Sequence, residues 1–287
     1  MGERPWRMAA LSLSLLVLAA CTAQTLERST PTPISIEIDA SALRSAPIPS
    51  ICEHPAGSLV DGSLPGIPEN QGYAFMPAVT EATPAGTNLS LVAAGGTHDD
   101  PVVAAVLRCN RGGVHWPDQV GLWTSSFEFL GLFEPAQAVD GFSEAITELS
   151  ASGESFTVRW VAGNEGDPSC CGTLSAEADV SWDGARININ NTRAFDGSDA
   201  VVAVAEAVSQ NEEVPESAAT AQATTALARL VDLGASPNLE ALACEASPDI
   251  ALGQRICTAP LDETQSVEIG VEIDGWNDYR VVTAYVQ

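Results

Sequence analysis

The chain has 287 residues, 45% of them hydrophobic, and a formal net charge of −26 from 12 basic and 38 acidic side chains. That length is enough for a sizeable core or two ordinary domains, while the acidity excludes nucleic acid as a partner, because phosphate binding depends on cationic neutralisation. Every basic residue is arginine, so a P-loop lysine, a Ser-x-x-Lys acyl-enzyme site and Schiff-base chemistry are all excluded.

At the N-terminus Arg4 and Arg7 precede an apolar run over residues 8–20, too short to span a bilayer as a helix. The run ends Leu18-Ala19-Ala20-Cys21. This ending resembles the lipobox of bacterial lipoproteins: an aliphatic residue, two small residues and the cysteine that is lipidated. The resemblance implies that residues 1–20 are a signal peptide removed by signal peptidase II. Cys21 then becomes the mature N-terminus, carrying diacylglycerol and, in many bacteria, an amide-linked acyl chain such as palmitate. The implied location is the extracytoplasmic face of the cell membrane. An ordinary secretory signal, with Cys21 incidental, is the alternative. Removing Arg4, Arg7 and Glu3 with the signal moves the charge from −26 to −27. Anionic headgroups repel such a surface, so the acyl chains must hold it, at about 0.8 kcal/mol per buried methylene.

Residues 21–33, with Ser29-Thr30-Pro31-Thr32-Pro33, read as a short tether. From residue 34 to 194 the pattern is β. Ile34, Ile36 and Ile38 alternate with polar residues, as in a half-buried strand. Residues 47–88 are rich in Pro and Gly and read as ordered loops pinned by Cys52. Strands are expected over 89–93, 102–109, 120–124, 127–133, 146–150 and 156–162; the 102–109 stretch also admits a helical turn. Two more, over 178–182 and 185–190, flank the hairpin signal Asp183-Gly184. Many short strands separated by turn residues predict an all-β sandwich or small barrel.

Near residue 195 the composition shifts. Asp196 or Ser198 is placed to cap a helix in which Val201, Val204, Ala205 and Val208 share one face. Asp196-Gly197-Ser198-Asp199 is thus a turn or cap rather than a calcium loop. A second helix is expected over 217–233, with Leu227, Leu230 and Val231 inward and Gly234 as its C-cap. Strands over 239–245, 254–259, 266–273 and 279–286 close the chain. Two helices followed by a curled antiparallel sheet resemble the nuclear-transport-factor-two-like cone found at the end of many actinobacterial envelope proteins. That resemblance implies an α+β cone over 195–287 with a pocket between helices and sheet. The lack of lysine, whose codons are AT-rich, and the abundance of Ala, Gly and Val suit a GC-rich genome of that kind.

Besides Cys21 there are six cysteines: Cys52, Cys109, Cys170, Cys171, Cys244 and Cys257. An even number in an exported chain predicts three structural disulfides. Cys244 and Cys257 lie symmetrically about residues 250–251, so a hairpin there sets them opposite each other, and so short a loop contributes about 3 kcal/mol when closed. Neighbouring strand residues point to opposite faces. Cys170 and Cys171 are therefore assigned to Cys52 and Cys109, with a vicinal Cys170–Cys171 ring beside Cys52–Cys109 as the other connectivity.

His54, His98 and His115 have the acids Glu53, Asp99, Asp100 and Asp118 nearby in sequence, but none has a second histidine at helical spacing, and all three read as exposed loop residues. The string Gly112-Gly113-Val114-His115-Trp116-Pro117-Asp118 reads as a turn whose tryptophan covers the core edge, or else as a carbohydrate or peptide contact. Trp160 and Trp182 read as core. No Gly-x-Ser-x-Gly, His-Glu-x-x-His or Gly-x-Gly-x-x-Gly motif is present.

These features favour a non-enzymatic binding or interaction module of the cell envelope. It needs no cofactor or metal and partners the membrane through its lipid, and an envelope protein or small ligand besides. The alternative is an envelope hydrolase or isomerase using the C-terminal pocket. That requires Asp232, Glu240, Glu268 or Glu272 to point inward, where burial raises a carboxyl pKa, and Tyr279 or Tyr285 to bond substrate.

Overall fold

The computed structural model describes residues 38–78, 80–82, 88–97, 100–112, 116–139, 143–163, 167, 172–247, 254–273 and 276–287. The chain is mostly antiparallel β-sheet with three α-helices among these residues, and no sheet closes into a barrel. Residues 34–37 of the first expected strand lie outside the described set. At Asp39 the chain already enters helix α1 (Ala40–Leu43), whose first amides, on Ser41 and Ala42, donate to Asp39 Oδ1 at 3.0 Å.

The Pro/Gly-rich stretch holds only short strands: β1 (Pro47–Ile48), β2 (Gly57–Ser58), β3 (Tyr73–Phe75), β4 (Thr80–Ala82) and β5 (Asn88–Ser90). β6 (Val92–Gly96), β7 (Pro101–Asn110), β8 (Gln119–Thr124) and β9 (Phe129–Phe133) follow as an antiparallel meander, and β3 pairs with the end of β7 to complete a five-stranded sheet. Phe127, expected in a strand, instead has φ 63° in the turn before β9. β10 (Ser143–Ser152), β11 (Ser155–Ala162), β12 (Leu174–Trp182) and β13 (Ile187–Phe195) form a second sheet in sequence order.

β7 explains how these layers stack. It is spelled Pro-Val-Val-Ala-Ala-Val-Leu, apolar without alternation, because both its faces are buried. Val102, Ala104 and Val106 join Leu122, Phe156 and Trp160 in a core shared by the two sheets. Val103, Ala105 and Leu107 join Leu43, Met76 and Trp123 under the loops of residues 38–76. Trp160 is buried as expected, Trp182 packs at the margin of the shared core, and Trp116 covers the edge of the loop-side core. The expected hairpin at Asp183-Gly184 forms, with Trp182 opposite Ile187.

Helices α2 (Ser198–Ser209) and α3 (Ala221–Asp232) precede the strands β14 (Ala243–Ala246), β15 (Arg255–Pro260), β16 (Ser266–Ile273) and β17 (Tyr279–Val286), which form a third sheet in that order. Val201, Val204, Leu227 and Leu230 pack on Cys257, Ile269, Val271 and Val281. α3 starts later than expected because residues before it pair with β17: the Thr220 amide donates to Val281 O at 2.9 Å. Thr220 Oγ1 then caps α3, accepting from Ala223 N at 3.2 Å. The stretch expected as a strand from residue 239 opens as a 3-10 turn, Leu239–Ala241. Val231, expected inward, is 39% exposed.

Cys244 sits opposite Cys257 and is bonded to it, as the spacing predicts. The other assignment is corrected. Cys52 bonds to Cys109, with Cα atoms 6.1 Å apart, rather than to Cys170 or Cys171. The reason is local: Cys52 and Glu53, at φ 46° and 61°, form a tight turn between the bridged residues Ile51 and His54. His54 bonds Asn110, the residue next to Cys109, and so brings Cys52 against the end of β7. Cys170 and Cys171 lie outside the described residues.

Candidate functional site

The stretches before and after residue 195 belong to one compact unit, Pro33–Gln287. A buried polar network ties them. Tyr279 opens β17 and is held deep because Gly197, at φ 87°, leaves its ring room; a Cβ there would lie 2.9 Å from the ring. The Tyr279 hydroxyl accepts from Ser175 N at 3.0 Å and donates towards the carbonyls of Thr173 and Phe195. Burial raises its pKa above the usual tyrosine value, opposed by the Ser175 hydrogen bonds and by the Arg255 charge.

Arg255 is only 1% exposed. Its Nη1 donates to Thr173 Oγ1 at 2.8 Å and its Nη2 to Cys244 O at 2.9 Å. Thr173 Oγ1 in turn donates to Asp167 Oδ1 at 2.8 Å, so the guanidinium reaches a carboxylate through one hydroxyl. Beside this, Trp276 Nε1 donates to Ala176 O at 2.9 Å and Asn277 N to Ser175 Oγ at 2.7 Å. The Trp276 ring meets Phe195 edge-on at 5.5 Å and carries the Arg159 guanidinium 4.2 Å above its centroid. Arg159 pairs with Glu177 and Glu148 at 3.2 and 2.7 Å, and Glu177, buried, also receives Arg193. A buried carboxylate flanked by two arginines in this way keeps its charge compensated.

Next to the network opens a cavity of about 510 Å³, within the size range of small-ligand sites. Phe195, Asp196, Ser198, Asp199, Asn277 and Tyr279 line it. Asp196 Oδ1 already accepts from Ser198 N at 2.9 Å, which fixes the turn entering α2. Because the Tyr279 hydroxyl is taken up by backbone, the groups turned to solvent are Asp196, Asp199, Ser198 and Asn277. They suit a ligand rich in hydroxyl or amine donors.

Of the residues singled out in the sequence for chemistry, Tyr279 lines the cavity, with its hydroxyl committed to backbone. Among the other described ones, His54, Glu53, Asp100, Asp118, Asp232, Glu240, Glu268, Glu272 and Tyr285 do not line it. His54 is not exposed: it is 3% accessible and donates through Nε2 to Asn110 O at 2.9 Å, serving the cysteine turn. Glu53 pairs with Arg111 at 3.2 Å. Asp100 is exposed and its amide donates to Thr97 Oγ1 at 3.0 Å. Asp118 is fully buried, meets Arg108 at 3.1 Å and accepts from Ile146 N at 2.9 Å, joining the first sheet to the second. His98, Asp99 and His115 lie outside the described residues. Asp232, Glu240 and Glu272 are exposed, and Glu268 accepts from the Tyr285 hydroxyl. None of these acids lines the cavity beside Tyr279.

Arg255, Thr173, Ser175 and Trp276 were not singled out by sequence. The one signal was Arg255, an arginine in step with the inward residues Cys257 and Ala259 of the same strand. Among the described residues no cluster of three or more His, Cys, Asp or Glu is placed to hold a metal, and no helix is long and apolar enough to cross a membrane. No family model, no curated protein and no solved structure matches this chain.

Proposed function

We propose that the protein is an extracytoplasmic lipoprotein, anchored to the cell membrane through acylated Cys21 and acting as a binding module of the cell envelope. On this reading residues 34–194 are a β-sandwich and residues 195–287 a cone of the nuclear-transport-factor-two-like kind, docked through the Tyr279 network. The lipobox-like ending at Cys21 supports the anchor, and two formed disulfides suit an oxidising compartment.

The observation that carries the binding role is the cavity beside Tyr279. Its lining offers hydrogen-bonding side chains to a ligand, while the one buried titratable group at its base is engaged with Ser175, Thr173 and Phe195. The ligand that fits is a small polar molecule bearing hydroxyl or amine groups. Native mass spectrometry of the protein recovered from its own envelope in mild detergent tests this. A mature start at acylated Cys21 with a retained small molecule is the expected spectrum. A chain that keeps residues 1–20, or one that leaves the membrane in salt alone, overturns the anchor. Titration with amine and polyol libraries that never shifts Asn277 or Ser198 resonances overturns the ligand site.

A further inference from the structure

The cavity beside Tyr279 stands at the end of a chain of contacts that begins at a disulfide. β14 is the edge strand of the third sheet, four residues long, and none of its side chains is fully buried. Besides its ladder to β15, the Cys244–Cys257 bond holds it, with Cys244 half-buried and Cys257 fully buried. A short edge strand without an apolar anchor belongs to the part of a fold that opens first. What β14 supplies in return is one acceptor: Cys244 O takes Arg255 Nη2 at 2.9 Å. Arg255, 1% exposed, already has an Nε without an acceptor among the described residues. Loss of Cys244 O leaves a second buried donor unpaired, which a guanidinium avoids by leaving its site. Its departure breaks the bond to Thr173 Oγ1, on the residue whose carbonyl receives the Tyr279 hydroxyl at the base of the cavity.

We propose that the Cys244–Cys257 bond is a redox latch on this cavity, opened by a protein dithiol, a role that rests on the cavity being a binding site. A thiolate of the dithiol attacks Cys244 Sγ, the more accessible sulfur, and Cys257 leaves as a thiolate. The second thiol of the reductant, deprotonated, then attacks the first. That closes the reductant's own disulfide and expels Cys244 as a thiolate. Two electrons pass to the latch, and the two protons shed by the dithiol end on Cys244 and Cys257. Oxidised, β14 holds Arg255 and the base of the cavity is fixed; reduced, β14 lifts and the base loosens. Cys52–Cys109 is not interchangeable with it. Both of those cysteines are buried, and a span of 57 positions stabilises more than a span of 13, so that bond resists reduction more strongly.

The test follows hydrogen exchange, read at single residues by fragmentation mass spectrometry, in the full chain held in mild detergent as dithiothreitol is titrated in. Iodoacetamide should label Cys244 and Cys257 at lower dithiothreitol than Cys52 and Cys109. At that stage two amides should exchange about tenfold faster or more: Ser175, which donates to the Tyr279 hydroxyl, and Asn277, which donates to Ser175 Oγ. β7 should be unchanged, and oxidised glutathione should restore the slow rates. Cys244→Ser with Cys257→Ser should show the fast rates without reductant and no response to the same low dithiothreitol. Unchanged exchange at Ser175 once both cysteines are reduced overturns the proposal. So does acceleration shared equally by β7, since the bond is then a general staple, and so does earlier reduction of Cys52–Cys109. No ligand takes part, so failure here leaves the cavity reading standing, while a failed ligand titration removes that reading without altering these rates.

Discussion

The outer face of β7 is covered by loops, whereas the inward face of β16 is covered by helices, and the two covers are fastened differently. A helix satisfies its own backbone, so α2 and α3 need little more than an apolar stripe and the Thr220 cap. Loops have no internal ladder, and each must be tied individually. Arg44 Nη1 donates to Met76 O and Pro77 O at 3.0 and 3.2 Å, Trp123 Nε1 to Pro47 O at 2.8 Å, and His54 to Asn110 O at 2.9 Å. The Cys52–Cys109 bond adds a covalent tie. Where a cover lacks regular hydrogen bonding, long-range side-chain and covalent ties take its place.

Removing each disulfide tests that contrast most strongly. Cys52–Cys109 spans 57 residues and Cys244–Cys257 spans 13. Loop-closure entropy then assigns about 4 kcal/mol to the first and about 3 kcal/mol to the second. Paired Cys→Ser variants compared by urea unfolding should keep that order; a larger loss at Cys244–Cys257 breaks the comparison.

The next largest effect belongs to the tie between the two regions. Tyr279→Phe strands the buried Ser175 amide and should cost about 1–3 kcal/mol. It should also change the alkaline limb of stability. The raised tyrosine pKa means that its contribution is complete below the unfolded value of about 10 and is lost as pH rises through the higher folded value. Unfolding curves between neutral and alkaline pH should therefore fall more steeply for wild type than for Tyr279→Phe, and parallel curves would remove Tyr279 as the tie.

A smaller loss, about 1 kcal/mol, is expected for Thr220→Ala in the cap of α3. It should appear as faster hydrogen exchange at Ala223 and Thr224 without change in β7, which sharpens the idea that the helical cover is locally self-sufficient. The smallest effect concerns the exposed turn at Asp183. Hydrogen bonds from Asn188, Arg186 and Ala185 lower its pKa to about 2. Their contribution is complete above the unfolded value of about 4 and lost as pH falls through about 2. Carbon-detected NMR should show Asp183 titrating at about 2; a midpoint near the unfolded value of about 4 would mean that the turn is open in solution.

These contrasts also mark what could be read in advance. Periodicity placed β11, β12, β16 and β17, and the spacing about residues 250–251 placed Cys244 against Cys257, because strand register is a local property. It did not place His54, whose burial depends on Asn110 of β7, and it gave Cys52 the wrong partner, because both depend on how loops lie on a distant strand. Val231 fits the inward stripe by spacing; only the position of α2 shows that the stripe outruns its cover. The cavity was anticipated only as a pocket between helices and sheet. Its actual walls come from the turn at Gly197 and the tip of the last hairpin, two segments that sequence treats as mere connections.

The bond between Cys52 and Cys109 has a mechanical consequence. A pull entering the chain at Ile38 reaches β7 through that bond after little more than a dozen residues, bypassing the intervening stretch, which cannot be drawn out while the bond holds. With the two cysteines 57 positions apart, the hidden extension is about 200 Å. Tension from the N-terminal side is thereby delivered to the central strand of the first sheet through residues 38–52, and the covering loops beyond Cys52 stay slack.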